Sequence, residues 1–337
     1  ERREALAAVA DGSARMVVGT HALFQEQVQF AALGLVIIDE QHRFGVHQRL
    51  SLRDKGAADS IPHQLVMTAT PIPRTLAMTA YADLDTSVID ALPPGRTPVT
   101  TVVVPEQRRD EVVQRVAAAC AEGRQAYWVC PLVEDSEVLD YQAAETTAAM
   151  LREQLPANTI GLVHGRMKPR DKERAMAAFS RGDSAVLVAT TVIEVGVDVP
   201  NASLMIIENA ERMGLAQLHQ LRGRVGRGSA ASSCVLLYKA PLSRMAKERL
   251  AVLRESTDGF VIADKDLELR GPGEVLGTRQ AGAMNLRIAD LARDADLLPT
   301  VHATAQTVLD GDDATITRRI DALVARWIGS ASRYGNV

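Results

Sequence analysis

The chain alternates short, continuous apolar runs with longer segments of helical periodicity. Continuous hydrophobicity is typical of parallel strands that are buried on both faces of a sheet. The apolar runs predict strands at Met16–Val18, Leu35–Ile38, Gln64–Met67, Thr100–Val104, Ala126–Val129, Thr159–Val163, Ala185–Ala189, Leu204–Ile207 and Cys234–Tyr238. The segments between them predict helices at Arg108–Ala121, Ala143–Gln154, Pro169–Ser180 and Gly214–Gly223. This alternation predicts an α/β fold with right-handed crossovers.

A Pro- and Gly-rich break at Leu92–Pro98 divides the α/β pattern, which resumes on both sides of it. We interpret this break as an interdomain linker. Further along, a helix is predicted at Leu242–Glu255, followed by an irregular Gly/Pro/Arg-rich stretch at Asp264–Gly282 and then by helical segments. The pattern therefore predicts two α/β domains, residues 1–95 and 96–240, and a smaller, mainly helical element over residues 241–337.

The composition is that of a globular protein. The 337 residues suffice for two or three domains of about 100–200 residues each. The net charge of -4 argues against a uniformly basic nucleic-acid binder, although charge can be concentrated along a groove. The three cysteines indicate neither a disulfide framework nor a zinc site. No apolar run is long enough for a membrane span, and Glu1-Arg2-Arg3-Glu4 lacks the form of a signal peptide, so we expect a cytoplasmic location and no membrane partner.

The segment Asp39-Glu40-Gln41-His42 follows the apolar run Leu35–Ile38. Adjacent carboxylates at the tip of a buried strand suit a site where a metal-bound phosphate meets an attacking water. Asp39 is placed to hold Mg²⁺ through water, and Glu40 to polarise the attacking water. The alternative is a pair of acids that caps the next helix. A nucleotide site of this kind needs a Gly-x-x-x-x-Gly-Lys-[Ser/Thr] loop, yet the sequence contains no Gly-Lys pair.

The segment Thr68-Ala69-Thr70-Pro71 closes the next apolar run. The carboxyl ends of parallel strands meet at one edge of a sheet, so Thr68 and Thr70 should emerge beside the carboxylates. Their hydroxyls can exchange hydrogen-bond partners between the metal site and a neighbouring domain. The alternative is an ordinary helix N-cap at Thr70.

The segment Gln220-Leu221-Arg222-Gly223-Arg224-Val225-Gly226-Arg227 is the sharpest single signal. Arg224 and Arg227, each preceded by glycine, can bring rigid guanidinium groups against the charge that develops on a transferring phosphoryl group. They are arginine-finger candidates, and Gln220 is placed beside them. The alternative is an unspecific basic turn.

Two further strand ends suit contacts with nucleic-acid phosphates. Thr190 and Thr191 follow the Ala185–Ala189 run, and Gly196 and Asp198 come later in the same segment, within reach of a ribose or of the arginines. His164 and Arg166 follow the Thr159–Val163 run and begin a basic stretch. Because acidic residues interleave that stretch, a solvated helix face is at least as good an interpretation of it as a phosphate track.

Taken in order, these segments resemble the later motifs of superfamily 2 helicases and translocases, which pair two RecA-like domains around ATP. Gly19–Phe24, Asp39–Val46 and above all Asp266–Gln280 are similar to the RecG family of bacterial branch-migration translocases. The resemblance covers essentially the whole chain. It implies two RecA-like parallel-sheet motor domains, the first incomplete at its N-terminus, and a small, mainly helical C-terminal element.

The resemblance implies an ATP-dependent, Mg²⁺-requiring translocase of double-stranded DNA that remodels stalled forks and Holliday junctions in repair and recombination. It would act as a monomer at the bacterial nucleoid, with single-strand-binding protein as a further partner. In the family an Arg-Gly element couples domain movement to translocation. The residues that match it here are Arg270, Gly271, Arg279 and Gln280.

Three alternatives stay open at this point. By comparison with the family the chain starts after the phosphate-binding loop, so we expect no appreciable ATPase from it alone. It would then act as a non-catalytic DNA-binding or interaction module. An RNA helicase shares the general motifs, and the bacterial transcription-repair coupling factor shares a related Arg-Gly element.

Overall fold

The chain forms two compact units, one comprising Glu1–Thr86 with Arg270–Val337 and the other Ser87–Leu269. The structure is a computed structural model. It describes residues 2–40, 55, 61–68, 85–91, 96–131, 137–190, 199–228, 230–270, 294–311 and 314–327.

The unit Ser87–Leu269 is built on a six-stranded sheet in which every strand pair is parallel. Its strands are β3 (Thr100–Pro105), β4 (Gln125–Val129), β5 (Ile160–Val163), β6 (Val186–Ala189), β7 (Ala202–Ile207) and β8 (Ser233–Tyr238). Their spatial order is β3-β8-β7-β4-β6-β5. The central strands β4 and β6 are buried along their whole length. For these two strands, this confirms the interpretation of continuous apolar runs as parallel strands covered on both faces, whereas β3 is exposed at Thr100 and Val102.

Helices cover both faces of this sheet. Alternate side chains of β4 enter different cores, since Trp128 packs in one and Tyr127 in the other. The Trp128 core is closed by helices α2 (Arg109–Ala121) and α3 (Glu137–Gln154). The Tyr127 core is closed by α4 (Pro169–Ser180), α5 (Leu215–Arg222), α6 (Arg244–Glu255) and α7 (Gly259–Arg270).

Local signals explain two of the helix starts. Helix α4 begins with Pro169, whose missing N–H would have had no partner in the first turn. Helix α6 is capped by Ser243, whose hydroxyl accepts a hydrogen bond from the Ala246 N–H at 3.1 Å.

In the other unit, β1 (Leu35–Ile38) and β2 (His63–Val66) pair in parallel, with Leu35 opposite His63. Val36 and Ile38 form a small core to which Phe24 and Leu33 contribute. The described helices of this unit are α1 (Arg2–Ala10), α8 (Leu298–Leu309) and α9 (Ala314–Trp327). No helix within the described ranges is long and apolar enough to span a membrane.

Two predicted elements were wrong. Met16–Val18 is irregular rather than a strand, and Met16 and Val18 are 83% and 87% exposed. Among the described residues no strand pairs with these three, and a strand needs such a neighbour. The predicted irregular stretch from Asp264 is helical as far as Arg270, because Ile262 and Leu267 bury the inner side of α7. Its remainder, residues 271–282, lies outside the described residues, as do residues 92–95 of the predicted linker.

Candidate functional site

The carboxyl ends of the parallel strands place several predicted site residues at one edge of the sheet. His164 follows β5 and Thr190 follows β6. The two strands are neighbours, with Val163 opposite Ala189, and the Thr190 N–H donates to the Val163 carbonyl at 3.2 Å. His164 and Thr190 therefore lie side by side, at the edge where parallel α/β sheets bind their ligands.

Both side chains carry buried polar atoms. His164 is 8% and Thr190 1% exposed. The His164 Nδ1 and the Thr190 hydroxyl make no hydrogen bond to any residue that the structure describes. Because an unsatisfied buried polar group is costly, this pair is suited to bind a ligand at the edge. Thr191 lies outside the described residues.

The loop after β5 is organised by Tyr141 of α3. The Arg166 guanidinium carbon lies 4.6 Å from the centre of the Tyr141 ring, and the His164 ring stacks on Tyr141 with centroids 5.8 Å apart. His164 Nε2 also lies 3.6 Å from a carboxylate oxygen of Glu145. The Lys172 ammonium donates to the Gly165 carbonyl at 2.6 Å. Arg166 and Lys172 thus bring two cationic side chains to the loop that follows His164, which suits a phosphate contact.

The predicted arginine fingers lie on the loop Gly223–Gly228 after α5, called the arginine loop below. Gln220, in the last turn of α5, and Arg224 are half-buried, whereas Arg227 is exposed. Gly226 has a left-handed backbone, and a Cβ atom there would lie 2.8 Å from a methyl group of Val99. A Cβ on Gly228 would lie 2.4 Å from the Pro200 carbonyl oxygen. Gly226 is therefore required by both close packing and backbone conformation, and Gly228 by close packing alone.

Arg222 anchors the base of this loop, a role that sequence reasoning missed. Its buried guanidinium donates to the carbonyls of Leu253 and Ser256 at 2.9 and 2.7 Å. Arg222 Nη2 lies 2.9 Å from His219 Nδ1. Burial lowers the pKa of His219 to about 4, and the Arg222 charge acts in the same direction. A neutral His219 accepts the hydrogen bond from Arg222. The Gly-Arg repeat drew attention to Arg224 and Arg227 and gave no sign that the third arginine is buried.

Glu208, at the end of β7, is a second residue that the sequence did not reveal. Its carboxylate accepts hydrogen bonds from Arg109 Nε at 3.0 Å, from another Arg109 nitrogen, and from the Trp128 indole at 2.8 Å. The Arg109 guanidinium also lies over the Trp128 ring, 5.1 Å from its centre. This ion pair joins α2 to two central strands beside the candidate ligand edge. Only folding brings together residues so far apart in sequence.

The predicted carboxylates lie in the other unit. Asp39 follows β1 and is exposed, and Glu40 has a left-handed backbone and is half-buried. The Glu40 N–H donates to Asp39 Oδ1 at 2.9 Å. Thr68 follows the neighbouring strand β2, so the structure places it at the same edge as the carboxylates, as predicted. Gln41, His42 and Thr70 lie outside the described residues.

Asp39 and Glu40 fit Mg²⁺ by their chemistry. Mg²⁺ in phosphate-transferring sites is usually held by one or two carboxylates, waters and the substrate phosphates. Within the described ranges no group of three or more His, Cys, Asp or Glu side chains is arranged to hold a metal ion.

Several further predicted residues lie outside the described part of the chain. Arg270 ends α7, but its side chain is outside the described part. Besides those named above, the residues outside it are Gly196, Asp198, Gly271, Arg279 and Gln280. Asp39 and Glu40 belong to one compact unit and Gln220, Arg224 and Arg227 to the other. A joint site formed by the two groups stays a prediction.

Two known protein families match parts of this chain, and they indicate the class of protein to which the fold and the arginine loop belong. The family described as "Helicase conserved C-terminal domain" matches residues 108–229, which include the sheet edge and the arginine loop. The class is therefore that of a helicase motor domain. The family described as "ATP-dependent DNA helicase RecG, domain 3, C-terminal" matches residues 256–328.

Individual relatives narrow the class. The ATP-dependent DNA helicase RecG of Escherichia coli (strain K12) is 64% identical over 331 residues, 98% of this chain and 47% of that protein. The RecG of Bacillus subtilis (strain 168) is 46% identical over 312 residues, 92% of this chain and 45% of that protein. A solved structure of RecG bound to a three-way DNA junction matches with a TM-score of 0.65 and 44% identity, over 88% of this chain and 38% of that one.

The chain belongs to the RecG family of bacterial ATP-dependent DNA helicases. It spans about half the length of the curated relatives that it matches.

Proposed function

We propose that the chain supplies the arginine-finger domain and the DNA-coupling element of an ATP-dependent translocase that remodels forks and four-way junctions in DNA repair and recombination. The observation that carries this proposal is the arginine loop. The backbone of this loop is closely packed at two points, where Gly226 lies against Val99 and Gly228 lies against Pro200, and these contacts restrict its path. A loop restricted in this way can hold charge ready for a transferring phosphoryl group without reorganising.

The nucleotide chemistry is divided between the two units. Bound Mg²⁺-ATP supplies the phosphoryl group. Asp39 would hold the metal ion, Glu40 would orient the attacking water, and Arg224 and Arg227, with Gln220, would stabilise the γ-phosphate. Thr68 and Thr70 couple the carboxylates to the second domain, and Gly196 and Asp198 contact the nucleotide.

The DNA contacts are assigned to the β5 and β6 ends and to the Arg-Gly element. His164, Arg166, Thr190 and Thr191 contact phosphates of the duplex. The buried polar atoms of His164 and Thr190 support this assignment. The segment containing Arg270, Gly271, Arg279 and Gln280 converts domain closure into movement along DNA. The RecG structure with a three-way junction supports a branched duplex as the substrate.

A chimera tests this function. The segment of Escherichia coli RecG that matches this chain is replaced by the 337 residues, and ATP hydrolysis is measured with and without forked DNA. We expect DNA-stimulated hydrolysis, and a loss on the order of a thousandfold in kcat for Arg224→Ala or Arg227→Ala. Wild-type rates in both variants would contradict the arginine-finger role, and stronger stimulation by RNA would contradict the DNA substrate.

The chain by itself is expected to behave differently. It contains no Gly-Lys pair, so it lacks the Lys that contacts the β- and γ-phosphates in such sites. We expect the purified 337-residue chain to bind branched DNA without hydrolysing ATP appreciably. DNA-stimulated turnover by the chain alone would show this expectation to be wrong. DNA binding by the chain, together with a chimera that hydrolyses no ATP, would instead favour a non-catalytic module.

A further inference from the structure

The segment immediately before β3 lies against the arginine loop. Arg96 Nη2 donates a hydrogen bond to the Gly223 carbonyl at 2.8 Å. The Gly226 Cα faces the Thr97 carbonyl and a Val99 methyl group, which would lie 3.4 and 2.8 Å from a Cβ atom there. Contacts from one short segment, Arg96–Val99, therefore reach the chain on both sides of Arg224.

This segment leads directly into the sheet. β3 begins at Thr100, whose N–H donates to the Ser232 carbonyl at 3.0 Å, and β3 then pairs with β8 along its length. The compact unit begins at Ser87, so Arg96–Val99 also belongs to the stretch by which the chain enters it. The arginine loop thus contacts Arg96–Val99, and the position of this segment is fixed because the next residue begins β3.

The base of the arginine loop has a separate anchor. Arg222 is held by the Leu253 and Ser256 carbonyls, and helix α5 is packed into the core through Leu215, Leu218 and Leu221. Arg96 contacts the chain one residue beyond this anchor, at Gly223, where the helix ends. Loss of Arg96 should therefore leave α5 folded and release the path of the loop from Gly223 onward.

We propose that Arg96 is a positioning residue for Arg224 and Arg227. The guanidinium of Arg96 fixes the carbonyl between Arg222 and Arg224, and so sets the direction in which the two arginines leave the helix. A cation is favoured at this place because the last carbonyls of a helix carry partial negative charge. The inference rests on the proposed arginine-finger function, and it adds the residue that orients the fingers.

Two variants and a control separate this role from general stability. Arg96→Gln removes the charge, Arg96→Lys keeps it with a smaller donor, and Arg244→Gln removes an exposed arginine whose partner is Glu248 on the surface of α6. In the chimera we expect Arg96→Gln to lower kcat on the order of tenfold, with a KM for ATP within about threefold of the parent. Arg96→Lys should restore most of the rate, and Arg244→Gln should match the parent.

Hydrogen exchange on the 337-residue chain provides the second measurement. The Arg224 and Val225 amides donate to the carbonyls of Leu221 and Arg222. In Arg96→Gln we expect these amides to exchange on the order of tenfold faster, while those of β6 keep their protection. Exchange that rises throughout the sheet would overturn the proposal, because Arg96 would then support the fold as a whole.

The exchange and kcat results together decide whether Arg96 positions the arginine loop. Unchanged exchange in the arginine loop overturns the proposal, whatever happens to kcat. Faster exchange with an unchanged kcat overturns it as well, because the loop would then be ordered by Arg96 without consequence for the reaction. If the parent chimera hydrolyses no ATP, the proposed function fails, and the exchange experiment alone decides whether Arg96 positions the loop.

Discussion

Trp128 donates its indole N–H to Glu208 across two neighbouring strands of the sheet, at 2.8 Å. The same carboxylate forms an ion pair with the Arg109 guanidinium. The Glu208 and Arg109 side chains are only 18% and 19% exposed. Removing one partner of such a pair leaves the other buried without compensation. The pair should therefore matter more to stability than any ion pair on the surface of this unit.

We expect Glu208→Ala to lower the free energy of unfolding by about 3 kcal/mol. Glu208→Gln should cost less, because an amide oxygen still accepts from Trp128. The measurement is urea unfolding followed by tryptophan fluorescence in a Trp327→Phe background, so that the buried Trp128 alone reports.

The matched control for this experiment is Glu122→Gln. Glu122 pairs with Arg124 at 2.8 Å on the surface, where the two side chains are 66% and 33% exposed. An exposed pair should cost at most about 1 kcal/mol. Equal losses in the Glu208 and Glu122 variants would show that burial of the Arg109–Glu208 pair has no energetic consequence.

The arginine loop gives a prediction that separates backbone strain from packing. Gly226 and Gly123 both have left-handed backbones, with φ of 79° and 82°. A Cβ on Gly123 would meet nothing within 4 Å, whereas one on Gly226 would clash with Val99. Gly123→Ala should therefore cost about 1 kcal/mol from the backbone alone.

Gly226→Ala should cost more than Gly123→Ala, because its neighbours must also move. Urea unfolding of the two variants measures the difference. In the chimera described above, Gly226→Ala should also lower kcat, since a displaced loop misplaces Arg224 and Arg227. Equal stability losses for the two variants would contradict the close packing of Gly226.

The parallel strands were predictable because burial on both faces leaves a continuous apolar run, as in Val186–Ala189. Met16–Val18 is also a continuous apolar run, but Met16 and Val18 are exposed, because strand formation depends on a neighbouring strand that no local pattern encodes. Likewise, Arg224 and Arg227 were found from their spacing with glycine. Glu208 and Arg222 were missed, since their importance comes from partners that are distant in sequence.

His219 predicts a specific dependence of stability on pH. Burial, with further contributions from Arg222 and Arg96 that exceed an opposing one from Asp258, lowers its pKa to about 4 in the folded state, against 6.5 ordinarily. The unfolded chain therefore binds the proton more tightly. The stabilisation is present above pH 6.5 and is lost as the pH falls towards 4.

We expect the free energy of unfolding to decrease between pH 7 and pH 5 with a slope contribution of at most about 1.4 kcal/mol per pH unit from this group. His219→Asn keeps an acceptor for Arg222 but cannot titrate, so it should remove that contribution. Urea unfolding of both proteins across this range measures the slopes. Parallel profiles would contradict the lowered pKa.

The cysteines predict the order of thiol labelling. Burial raises the pKa of Cys130 and of Cys234 to about 12, so their thiolates are scarce at neutral pH. Cys120 is half-buried, and its pKa is raised by burial as well. We expect a thiol reagent to label Cys120 first and the other two only on unfolding, as followed by mass spectrometry. Rapid labelling of Cys130 or Cys234 in the folded chain would contradict their burial.

The position of Arg166 leads to a prediction about how its charge contributes to DNA binding. It lies at the carboxyl edge of the sheet, with its guanidinium over Tyr141. If it contacts a phosphate, Arg166→Ala should weaken binding of forked DNA to the 337-residue chain regardless of sequence, and should lower the slope of log affinity against log salt by about 1. Fluorescence anisotropy at several salt concentrations measures both quantities.

The matched control for Arg166 is Arg181, an exposed arginine between α4 and β6 that pairs with Asp183 at 2.8 Å. It lies on the amino side of the strands, away from the candidate ligand edge, so Arg181→Ala should leave the salt slope unchanged. Tyr141→Leu should weaken binding less than Arg166→Ala, because it removes the ring beneath the guanidinium and keeps the charge. Equal effects of the Arg166 and Arg181 variants would mean that DNA contacts the unit through its general charge, and the carboxyl edge would lose its assignment as the DNA-binding surface.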